Sequence, residues 1–475
     1  MTAMRIVLKF GGTSLASPKQ IRSVAKYVTS VSKKNQVAVV CSAVNDVTDQ
    51  LIQISESIQK TDKNAVDSGL AKLTKQHIKL AKDSVSNPKI RKELLQKLEA
   101  DLAELQGLLH GMMLLGEVTP RSSDYLISFG ERLSVQIVSH GIMDLGAKSV
   151  ALSGKDVGIV TDSNFGSSKP LMDTTRLRVS ASLESLLAKK VIPVIGGFAG
   201  ADQHGHITTF GRGGSDYTAT IIASCIKADE VWLMSDVDGL MTADPKMVKD
   251  AVVIPEVSYV EAMEMALFGA KQIHPRSFEP LLSKKIPLRI KNTLNVNSKG
   301  TLVTASPDEA TDRTVKCVSV IRHNGLIDMM GGSMVGAPGT AATIFSTLAK
   351  AGVNIMMISQ SPSESSISIV VKKNDLNKAV NTLEMNLLGK MIKKIDVTAD
   401  VSIIALIGSG MRGTVGVASK VFSAAARNKV NVIMIAQGSS ELNLAFVVKD
   451  GDCEAAVKAL HEEFDLAEQV SAKNA

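Results

Sequence analysis

Short apolar runs alternate with longer amphipathic stretches over the first 300 residues of the chain. The continuous apolar runs 5–10 and 36–44 predict buried parallel strands, because a strand covered on both faces has no polar side. Between them, Pro18 begins a predicted helix that ends near Ser32. Strand–helix–strand units of this kind form parallel sheets. The pattern therefore predicts an α/β domain with helices on both faces of its sheet.

The same alternation continues along this half of the chain. Helices are predicted at 49–116, with breaks near Gly69 and Asn87-Pro88, and then at 122–145, 171–190, 219–226 and 258–270. Strands are predicted at 148–152, 191–197, 230–235 and 286–292.

The C-terminal third of the chain contains an internal repeat. Gly331-Gly-Ser-Met-Val-Gly336 matches Gly408-Ser-Gly-Met-Arg-Gly413 at an offset of 77 residues. Val353-Asn-Ile-Met-Met-Ile-Ser-Gln360 matches Val430-Asn-Val-Ile-Met-Ile-Ala-Gln437 at the same offset. A match this long without a gap indicates two copies of one module. Each copy is predicted to run strand, glycine turn, helix, strand, strand, helix.

The polar, proline-containing stretch 305–314 is the predicted linker between the two parts of the chain. We therefore assign 1–304 to the α/β domain, 315–398 to the first module and 399–470 to the second. The second module ends at a predicted helix and lacks a last strand, which would leave a sheet edge open. The apolar strand 315–321 precedes the first repeat as 392–397 precedes the second. We expect 315–321 to complete the sheet of the second module.

Composition excludes several classes of function. Aromatic residues make up 3% of the chain and its net charge of +7 is spread out, so a nucleic-acid surface is not expected. No apolar run approaches the ~18 residues of a membrane helix, and the N-terminus lacks the apolar region of a signal peptide. The four cysteines form no CxxC pair and three of them lie in apolar runs, which predicts reduced core cysteines in a reducing compartment. We expect a soluble, cytoplasmic protein that binds neither nucleic acid nor membranes.

Two glycine turns carry the candidate chemistry. In Thr208–Ala219, three glycines and Arg212 precede Ser215 and Asp216 at the start of an apolar helix. Glycines let the backbone approach a ligand, a helix start attracts anions, and an arginine fork fits a carboxylate or phosphate. A tight turn with an N-capping Ser or Asp is the alternative. The second turn, Lys9-Phe-Gly-Gly-Thr-Ser14, favours the anion-binding interpretation.

With these motifs the chain resembles the aspartokinases of the amino acid kinase family, which carry two C-terminal ACT modules. The resemblance covers nearly the whole chain and also rests on Ser42-Ala43 with Thr48, Ser128-Phe-Gly-Glu-Arg132, Ser235-Asp236 with Thr242-Ala-Asp-Pro245, Phe268-Gly-Ala-Lys271 with His274-Pro275, and Lys291-Asn-Thr293. It implies a three-layer αβα sandwich around a mainly parallel eight-stranded sheet, followed by two α+β ferredoxin-like modules.

The resemblance implies a kinase that transfers the ATP γ-phosphoryl group to the β-carboxylate of L-aspartate. The implied catalytic residues are Lys9 and Asp216. Aspartate would bind at Ser42, Thr48, Glu131, Arg212 and Ser215, with Glu131 at its ammonium and Arg212 at its α-carboxylate. ATP would bind at Lys9, Gly11, Gly12, Ser14, Ser235, Asp236, Thr242, Asp244 and Lys271. Mg²⁺ would be held mainly through the nucleotide phosphates, so no metal site made by protein ligands is expected.

Simpler interpretations exist for several of these residues. Lys9 could be a surface lysine at a strand end, Glu131 a helix-surface acid paired with Arg132, and Thr48 a helix N-cap. His204 and His206 are predicted to form a polar hairpin turn rather than a metal site. His274 is predicted to fix a turn before Pro275, and Met241 stands where many relatives have a tyrosine next to the purine.

ACT modules resemble amino-acid receptors that pair their sheets, usually across a homodimer, so we expect a homodimer with an amino-acid effector. The effector would bind at Met334, Gly336, Gly339, Asn354, Ile355, Gln360, Ser361, Glu364 and Gln437. Neutral donors and acceptors there favour threonine, with lysine as the alternative; both segments could also serve only to build the dimer sheet. Two other functions are possible, a kinase for another amino acid such as glutamate and a non-catalytic amino-acid sensor.

Overall fold

The computed structural model describes residues 3–269, 273–307 and 313–468. The described chain divides into two compact units. The first unit comprises 3–240, 255–259 and 273–307, and the second comprises 241–254, 260–269 and 313–468. The second unit therefore takes in two segments, 241–254 and 260–269, that the sequence analysis assigned to the α/β domain. The central part of the predicted linker, 308–312, lies outside the described residues.

The α/β part of the chain contains ten strands and ten α-helices among the described residues. The strands are β1 (Arg5–Phe10), β2 (Gln36–Cys41), β3 (Ser149–Leu152), β4 (Ile192–Gly196), β5 (Ala199–Ala201), β6 (Ile207–Thr209), β7 (Glu230–Ser235), β8 (Glu256–Ser258), β9 (Leu288–Asn292) and β10 (Thr301–Thr304). The helices are α1 (Pro18–Ser32), α2 (Val47–Gln59), α3 (Lys63–Ser84), α4 (Pro88–Leu115), α5 (Pro120–Asp144), α6 (Gly154–Val157), α7 (Met172–Ala188), α8 (Gly214–Cys225), α9 (Tyr259–Leu267) and α10 (Glu279–Leu282).

The first unit is a three-layer sandwich around an eight-stranded sheet. The strand order is β3-β4-β2-β1-β7-β9-β10-β8, and neighbours are parallel except β9 and β10. Helices α1 and α5 pack on one face of the sheet, and α7 and α8 contact the strands from the other. The prediction of a mainly parallel sheet between two helical layers is confirmed.

The helical stretch before α5 breaks at Asn87-Pro88, as predicted, and its other break lies at 60–62 rather than at Gly69. Helix α2 ends at Gln59, and Asp62 caps α3 by accepting a 3.0 Å hydrogen bond from the Ala65 amide. Gly69 lies inside α3, where a Cβ atom would come within 2.6 Å of the Ile54 side chain in α2. This glycine therefore permits close helix packing and does not end a helix. None of the helices in the described part of the chain has the length and hydropathy that crossing a lipid bilayer requires.

The second unit contains one six-stranded antiparallel sheet with the order β12-β13-β11-β14-β16-β15. Its strands are β11 (Cys317–Met330), β12 (Ile355–Gln360), β13 (Ser366–Lys372), β14 (Lys394–Ile407), β15 (Met434–Ala436) and β16 (Asn443–Lys449). Its further helices are α11 (Thr340–Lys350), α12 (Lys373–Leu387), α13 (Val417–Arg427) and α14 (Cys453–Glu463).

Two long central strands, β11 and β14, run through both modules of the second unit. Cys317–Ile321 pairs with Ile403–Ile407, next to β16, whereas Asn324–Met330 pairs with the earlier half of β14 and with β13. His323 and Asp400 have left-handed φ angles of 61° and 58° where the two halves of each strand meet. Each long strand therefore supplies one half to the sheet of each module.

The segment 241–254 is part of the core of the second module. Ala243, Met247 and Val248 are buried there with side chains of β14, β16, α13 and α14. The amide of Val318 on β11 donates a 2.8 Å hydrogen bond to the carbonyl of Thr242. Burial of these apolar side chains explains why the segment belongs to this unit although it follows β7 in the chain.

A buried ion pair links α9 to the second module. Lys316 and Glu261 have side chains that are 1% and 0% exposed, with Nζ and Oε2 3.0 Å apart. The Glu261 carboxylate also accepts hydrogen bonds of 2.9 and 2.7 Å from the backbone amide and hydroxyl of Ser409. A charge that loses its partner in such a place remains largely desolvated. We therefore expect the stability of the second unit to depend strongly on this ion pair.

Replacing Lys316 with methionine should destabilise the second unit by about 3–5 kcal/mol, because the Glu261 carboxylate keeps its hydrogen bonds but loses its counter-charge. The matched control is Lys373→Met, which breaks a 2.5 Å pair with Asp400 whose side chains are 50% and 56% exposed. That change should leave the stability nearly unchanged, because water screens an exposed pair. Thermal unfolding of the full chain measures the stability of both variants. An equal fall in melting temperature in the two variants would contradict the prediction.

Candidate active site

Lys9 and Asp216 form an ion pair in the first unit. Ile6 and Leu8 on β1 are buried with α1 and α5, so Lys9, which alternates with them, points to the opposite face, where α8 contacts β1. Its Nζ lies 2.5 Å from Oδ1 of Asp216, and the two side chains are 14% and 12% exposed. The interpretation of Lys9 as a surface lysine is therefore wrong. The two charged side chains remain partly accessible at the carboxyl end of the central strand β1.

The second glycine turn leads directly into α8, and Ser215 and Asp216 lie in its first turn. Its N-cap is Gly213, which has a φ of 74° and offers no side-chain capping bond, so the interpretation of a Ser or Asp cap is wrong. A Cβ atom on Gly213 would also lie 2.3 Å from the Cβ of His274. Arg212 precedes this glycine and is exposed. The helix start therefore presents amide groups next to an exposed arginine.

Glu131 on α5 is buried and only partly hydrogen-bonded. The residue is 5% exposed, and its Oε1 accepts a 3.1 Å hydrogen bond from the Ala43 amide. Its Oε2 has no hydrogen-bond partner among the described residues. Burial raises the pKa of Glu131 to about 8, against the smaller opposing effects of its hydrogen bonds and of Lys9. Glu131 is therefore a desolvated carboxyl group with a free acceptor.

The interpretation of Glu131 as a surface acid paired with Arg132 is wrong. Arg132 instead lies 2.7 Å from Asp101 and also pairs with Glu104 on α4. Glu131 reaches the end of β2 because the preceding Gly130 allows close packing, since a Cβ atom there would lie 2.8 Å from the Cβ of Ala43. The glycine of the Phe-Gly-Glu motif is thus required by the approach of α5 to β2.

Gly196 and Gly197, at the end of β4, bring Glu131 and α8 together. A Cβ atom on Gly196 would lie 3.4 Å from the Cβ of Glu131, and one on Gly197 would lie 2.7 Å from the Cβ of Ser215. A side chain at Gly197 would clash with the start of α8, whereas one at Gly196 would meet Glu131 at ordinary contact distance. These glycines were not predicted as site residues, although two glycines directly after an apolar run are a signal of a close approach.

Glu131 lines a cavity of about 720 Å³ in the first unit. Ser128, Gly196, Gly197 and Lys155 also line it. The volume is ample for a small amino acid, whose polar groups need a few placed partners in such a cleft. The cavity therefore places Glu131 beside a space that could hold a small ligand.

The other predicted residues near the strand ends differ in exposure. Ser42 and Thr48 are half-buried, and Thr48 lies inside α2, whose N-cap is Asp46 rather than Thr48. Gly11 packs near Lys9, since a Cβ atom there would lie 3.7 Å from the lysine Nζ. The simpler interpretation of Thr48 as a helix N-cap is therefore wrong. The half-buried Thr48 lies in the first turn of α2.

Gly12 and Ser14 have structural contacts of their own. A Cβ atom on Gly12 would lie 2.9 Å from the carbonyl oxygen of Ala43, so only glycine fits there. Ser14 is buried, and its hydroxyl lies 2.8 Å from that of Thr293. Both residues thus also hold the turn after β1 against its neighbours.

The predicted nucleotide residues divide between the two units. Ser235 and Asp236 end β7 in the first unit, where the serine hydroxyl donates to the aspartate over 3.1 Å. Asp244 is exposed in the second unit and accepts a hydrogen bond from the Lys246 amide. Lys271 lies outside the described residues.

Thr242 has a structural role in place of the predicted nucleotide contact. Its side chain is buried, and its hydroxyl lies 2.9 Å from Nε2 of His461 and accepts from the Val252 amide. Its own amide and carbonyl bond to Val252 and Val318. All polar groups of Thr242 are thus engaged inside the second unit. Met241 beside it is half-buried and forms an isolated bridge with Val253.

The predicted effector residues lie in the second unit, all near the edge strand β12 except Gln437, which follows β15. Gly336 donates its amide to Glu364 over 2.8 Å, and the corresponding Gly413 in the second module donates to Glu441 over 2.6 Å. Gly339 has a φ of 89° and precedes α11. The repeated glycine–glutamate contact shows that both modules close their turns in the same way.

Exposure separates the remaining predicted effector residues. Asn354, Gln360, Glu364 and Gln437 are exposed, and Ile355 and Ser361 are half-buried, with the Ser361 hydroxyl 2.8 Å from that of Ser363. Met334 is different because its side chain is buried in the core of the first module. A ligand at the turn would thus meet the backbone of Met334 and not its thioether.

The three histidines predicted to lie in turns have structural roles. His206 lies 3.1 Å from Asp202, which also accepts from the amides of His204 and His206 in the β5–β6 turn. His274 accepts a hydrogen bond from the Arg276 amide at the start of a short 3-10 helix. Both turn predictions are confirmed. The described part of the chain contains no group of three or more histidine, cysteine or acidic side chains suited to holding a metal ion.

Comparison with known proteins identifies the family. Residues 4–292 match the amino acid kinase family, and residues 327–387 and 404–464 each match the ACT domain. The chain is 33% identical to aspartokinase 3, chloroplastic, of Arabidopsis thaliana over 481 residues, which covers 98% of this chain and 83% of that protein. It is also 33% identical to the bifunctional aspartokinase/homoserine dehydrogenase 2, chloroplastic, of Zea mays, covering 97% of this chain.

The chain spans about half the length of the bifunctional relatives that it matches. Among solved structures, E. coli aspartokinase III in complex with aspartate and ADP (R-state) superposes with a TM-score of 0.80 at 26% identity, covering 97% of this chain and 99% of that one. The same enzyme in complex with lysine and aspartate (T-state) gives a TM-score of 0.81 with the same identity and coverage. The chain therefore belongs to the amino acid kinase family, in the aspartokinase group whose kinase domain is followed by two ACT domains.

Proposed function

We propose that the chain is an aspartate kinase that transfers the γ-phosphoryl group of ATP to the β-carboxylate of L-aspartate, giving 4-phospho-L-aspartate and ADP. The free, buried oxygen of Glu131 is the observation that carries this proposal. A desolvated carboxylate with an open acceptor suits a substrate ammonium, which would supply both charge and hydrogen bonds. The E. coli enzyme with a similar structure binds aspartate and ADP, which supports the same ligands here.

Substrate recognition divides between two elements of the first unit. Glu131 would receive the ammonium, and the exposed guanidinium of Arg212 would pair with the α-carboxylate. Ser42, Thr48 and Ser215 would donate hydroxyl groups to the carboxylates. Binding of both charged ends leaves the β-carboxylate as the group free to react. The site would thus select a short dicarboxylic amino acid.

Phosphoryl transfer depends on charge neutralisation and alignment more than on covalent chemistry by the protein. A β-carboxylate oxygen attacks the γ-phosphorus, the bond to the β,γ-bridging oxygen breaks, and that electron pair leaves with ADP. Lys9 would offset the charge that develops on the phosphoryl oxygens, and Asp216, 2.5 Å away, would hold the ammonium in place. The glycines at 11 and 12 would let backbone amides approach the phosphates.

ATP would enter with Mg²⁺, which neutralises phosphate charge when bound. Oδ1 of Asp216 is held by the Lys9 ammonium, 2.5 Å away, and the aspartate side chain is 12% exposed. The carboxylate would lie beside the hydrated ion through this pair, while the phosphates supply most of the ligands of the ion. Ser235 and Asp236 would contribute to nucleotide binding, and Asp244 and Lys271 stay predictions from the sequence.

An ADP-release assay with a panel of acceptors tests the proposed reaction. We expect ATP- and Mg²⁺-dependent ADP release with L-aspartate, and less than about 1% of that rate with succinate, which leaves Glu131 without a partner. L-glutamate should also react poorly because its extra methylene displaces the reacting carboxylate. Faster turnover of glutamate would favour a different amino acid kinase, and no acceptor-dependent release with any of them would favour a sensor.

We also propose that an end-product amino acid inhibits the enzyme through the ACT domains, in a cytoplasmic homodimer formed by these domains. Two features support this. The ACT unit includes the segment 241–254 with Asp244, which the resemblance assigns to the nucleotide, so a ligand that favours another state of this unit would alter ATP binding. Strand β12 is a sheet edge that a second chain could extend.

Threonine is the proposed effector, with lysine as the alternative because the E. coli enzyme binds lysine. Gln360 ends β12 and is exposed, with the Ser361 hydroxyl next to it, and neutral groups of this kind suit a hydroxylated side chain. Gln360→Ala should raise the threonine concentration for half inhibition by about tenfold. Gln53→Ala, a change in the first unit, is the control and should leave it unchanged.

Equal inhibition of wild type and Gln360→Ala by threonine would reject this site. Inhibition by lysine but not by threonine would reject the ligand. The same titration with Gln437→Ala tests whether the second module takes part, since Gln437 occupies the corresponding exposed position.

A further inference from the structure

Asp124 is a buried acid on α5 that the sequence analysis did not single out. It is 2% exposed and lies two helical turns before Glu131. Its Oδ2 accepts hydrogen bonds from the amides of Gly166 and Thr209, over 2.9 and 2.8 Å, and its Oδ1 accepts from the Thr209 hydroxyl over 2.7 Å. Three neutral donors from two other segments thus converge on one carboxylate of the helix that carries Glu131.

Thr209 is held on its other side as well. Its carbonyl accepts hydrogen bonds of 2.9 Å from both the amide and the hydroxyl of Ser168. Ser168 in turn accepts at its carbonyl a 2.8 Å hydrogen bond from Arg276, whose guanidinium also lies over the ring of Tyr217 on α8. The end of β6 is therefore fixed between α5 and α8 by a continuous hydrogen-bonded set of groups.

Arg212 follows this fixed point by three residues. Of the two residues between them, Gly211 has a φ of 73°, and a Cβ atom there would lie 3.0 Å from the carbonyl oxygen of Gly166. The amide of Gly214 then closes the turn onto the Gly211 carbonyl over 3.0 Å. With so short and so constrained a link, a shift of Thr209 moves the backbone of Arg212.

We propose that Asp124 is a positioning residue that sets the distance between Arg212 and Glu131. One end of α5 binds the turn before Arg212, and the same helix presents Glu131 two turns later. The helix therefore acts as the spacer between the groups proposed for the α-carboxylate and the ammonium of the substrate. This inference rests on the proposed function, because it assigns Asp124 to the same substrate site.

The two substitutions that separate this role from simple stabilisation are Asp124→Ala and Asp124→Asn. Alanine removes all three acceptor contacts, and we expect the KM for aspartate to rise about tenfold or more, with kcat changed less. Asparagine keeps one oxygen for the two amides, and its NH₂ group can donate to the Thr209 hydroxyl, which also accepts. Asp124→Asn should therefore keep the KM for aspartate within about threefold of the wild-type value. The KM for ATP should stay within about twofold in both.

A double-mutant cycle with Arg212→Ala tests whether Asp124 acts through the arginine. If it does, Asp124→Ala changes the KM for aspartate by less than about twofold once Arg212 is absent. The same factor in both backgrounds, or an equal rise in the KM for ATP, overturns the proposal. If Asp124→Ala yields no folded protein, Thr209→Val and its conservative partner Thr209→Ser take its place in the same cycle, with the same criteria.

The wild-type arm of this experiment keeps the two proposals apart. Aspartate-dependent ADP release by the wild type establishes the reaction independently of Asp124, and additive effects in the cycle then reject only the positioning role. A wild type that releases no ADP with aspartate rejects the proposed function itself, and with it the inference about Asp124.

Discussion

Lys9→Ala is expected to lower kcat by about a thousandfold or more, with a much smaller change in the KM for aspartate. The lysine Nζ lies 2.5 Å from Asp216 at the end of β1, among the groups proposed to bind the phosphates. Its attraction to the phosphoryl oxygens strengthens as charge develops, so its loss removes stabilisation of the transition state more than of the bound substrates. Steady-state ADP release at saturating ATP and aspartate measures the effect.

Lys33→Ala is the matched control for this substitution. Lys33 is an exposed lysine at the C-terminal end of α1 and lies outside the cavity that Glu131 lines. Its loss removes the same charge from the same unit and should change kcat by less than about twofold. Near-normal turnover in Lys9→Ala, or an equal loss in both variants, would contradict the role of Lys9.

Glu131→Gln is expected to raise the KM for aspartate by about a hundredfold, because the substrate ammonium loses a desolvated counter-charge. The matched control is Glu104→Gln on α4, whose carboxylate is 42% exposed and pairs with Arg132. That change should have little effect on the KM. An unchanged KM in Glu131→Gln would mean that another group receives the ammonium.

The pH dependence of the KM provides a second measure of the same residue. Burial raises the pKa of Glu131 to about 8, so below that pH the carboxyl group of the free enzyme holds a proton. This proton must leave before an ammonium can bind, because only the ionised form offers the counter-charge. The KM for aspartate should therefore rise as the pH falls below about 8, by up to about tenfold per pH unit. Glu131→Gln should have a flat profile over the same range.

Local patterns predicted most of the first unit. The apolar runs of β1 and β2 and the start of α1 at Pro18 are set by residues next to each other in the chain. Gly69 was misread because glycine usually weakens a helix, and only the contact with Ile54 in α2 explains its place inside α3. Interactions between distant segments decided this case against the local preference.

The candidate site was predictable where a motif carried its own chemistry. Lys9 with its glycine turn and Arg212 with Asp216 were found from residue type and spacing, and the structure brings Lys9 and Asp216 into contact. The pairing of Asp124 with Thr209 was not predictable, because its three donors come from segments 42 and 85 residues away. A buried acid inside a helical pattern looks the same whether or not it organises a site.

The limits of the two units were also decided by long-range packing. The polar stretch 305–314 is a reasonable linker by composition, but Ala243, Met247 and Val248 place 241–254 in the second unit by burial. Thr242 was assigned to the nucleotide from a motif, and its contact with His461, 219 residues away, gives it a different role. A motif identifies the residues of a turn but not the unit into which the turn packs.

Trapping of the acyl phosphate tests whether the chain phosphorylates the β-carboxylate of aspartate. The full chain is incubated with ATP, Mg²⁺, L-aspartate and hydroxylamine, which attacks an acyl phosphate and releases phosphate to give a hydroxamate. We expect β-aspartyl hydroxamate in amounts equal to the ADP formed, and none above background with Lys9→Ala. Formation of ADP without the β-hydroxamate, or the same yield of hydroxamate from L-glutamate as from L-aspartate, would contradict it.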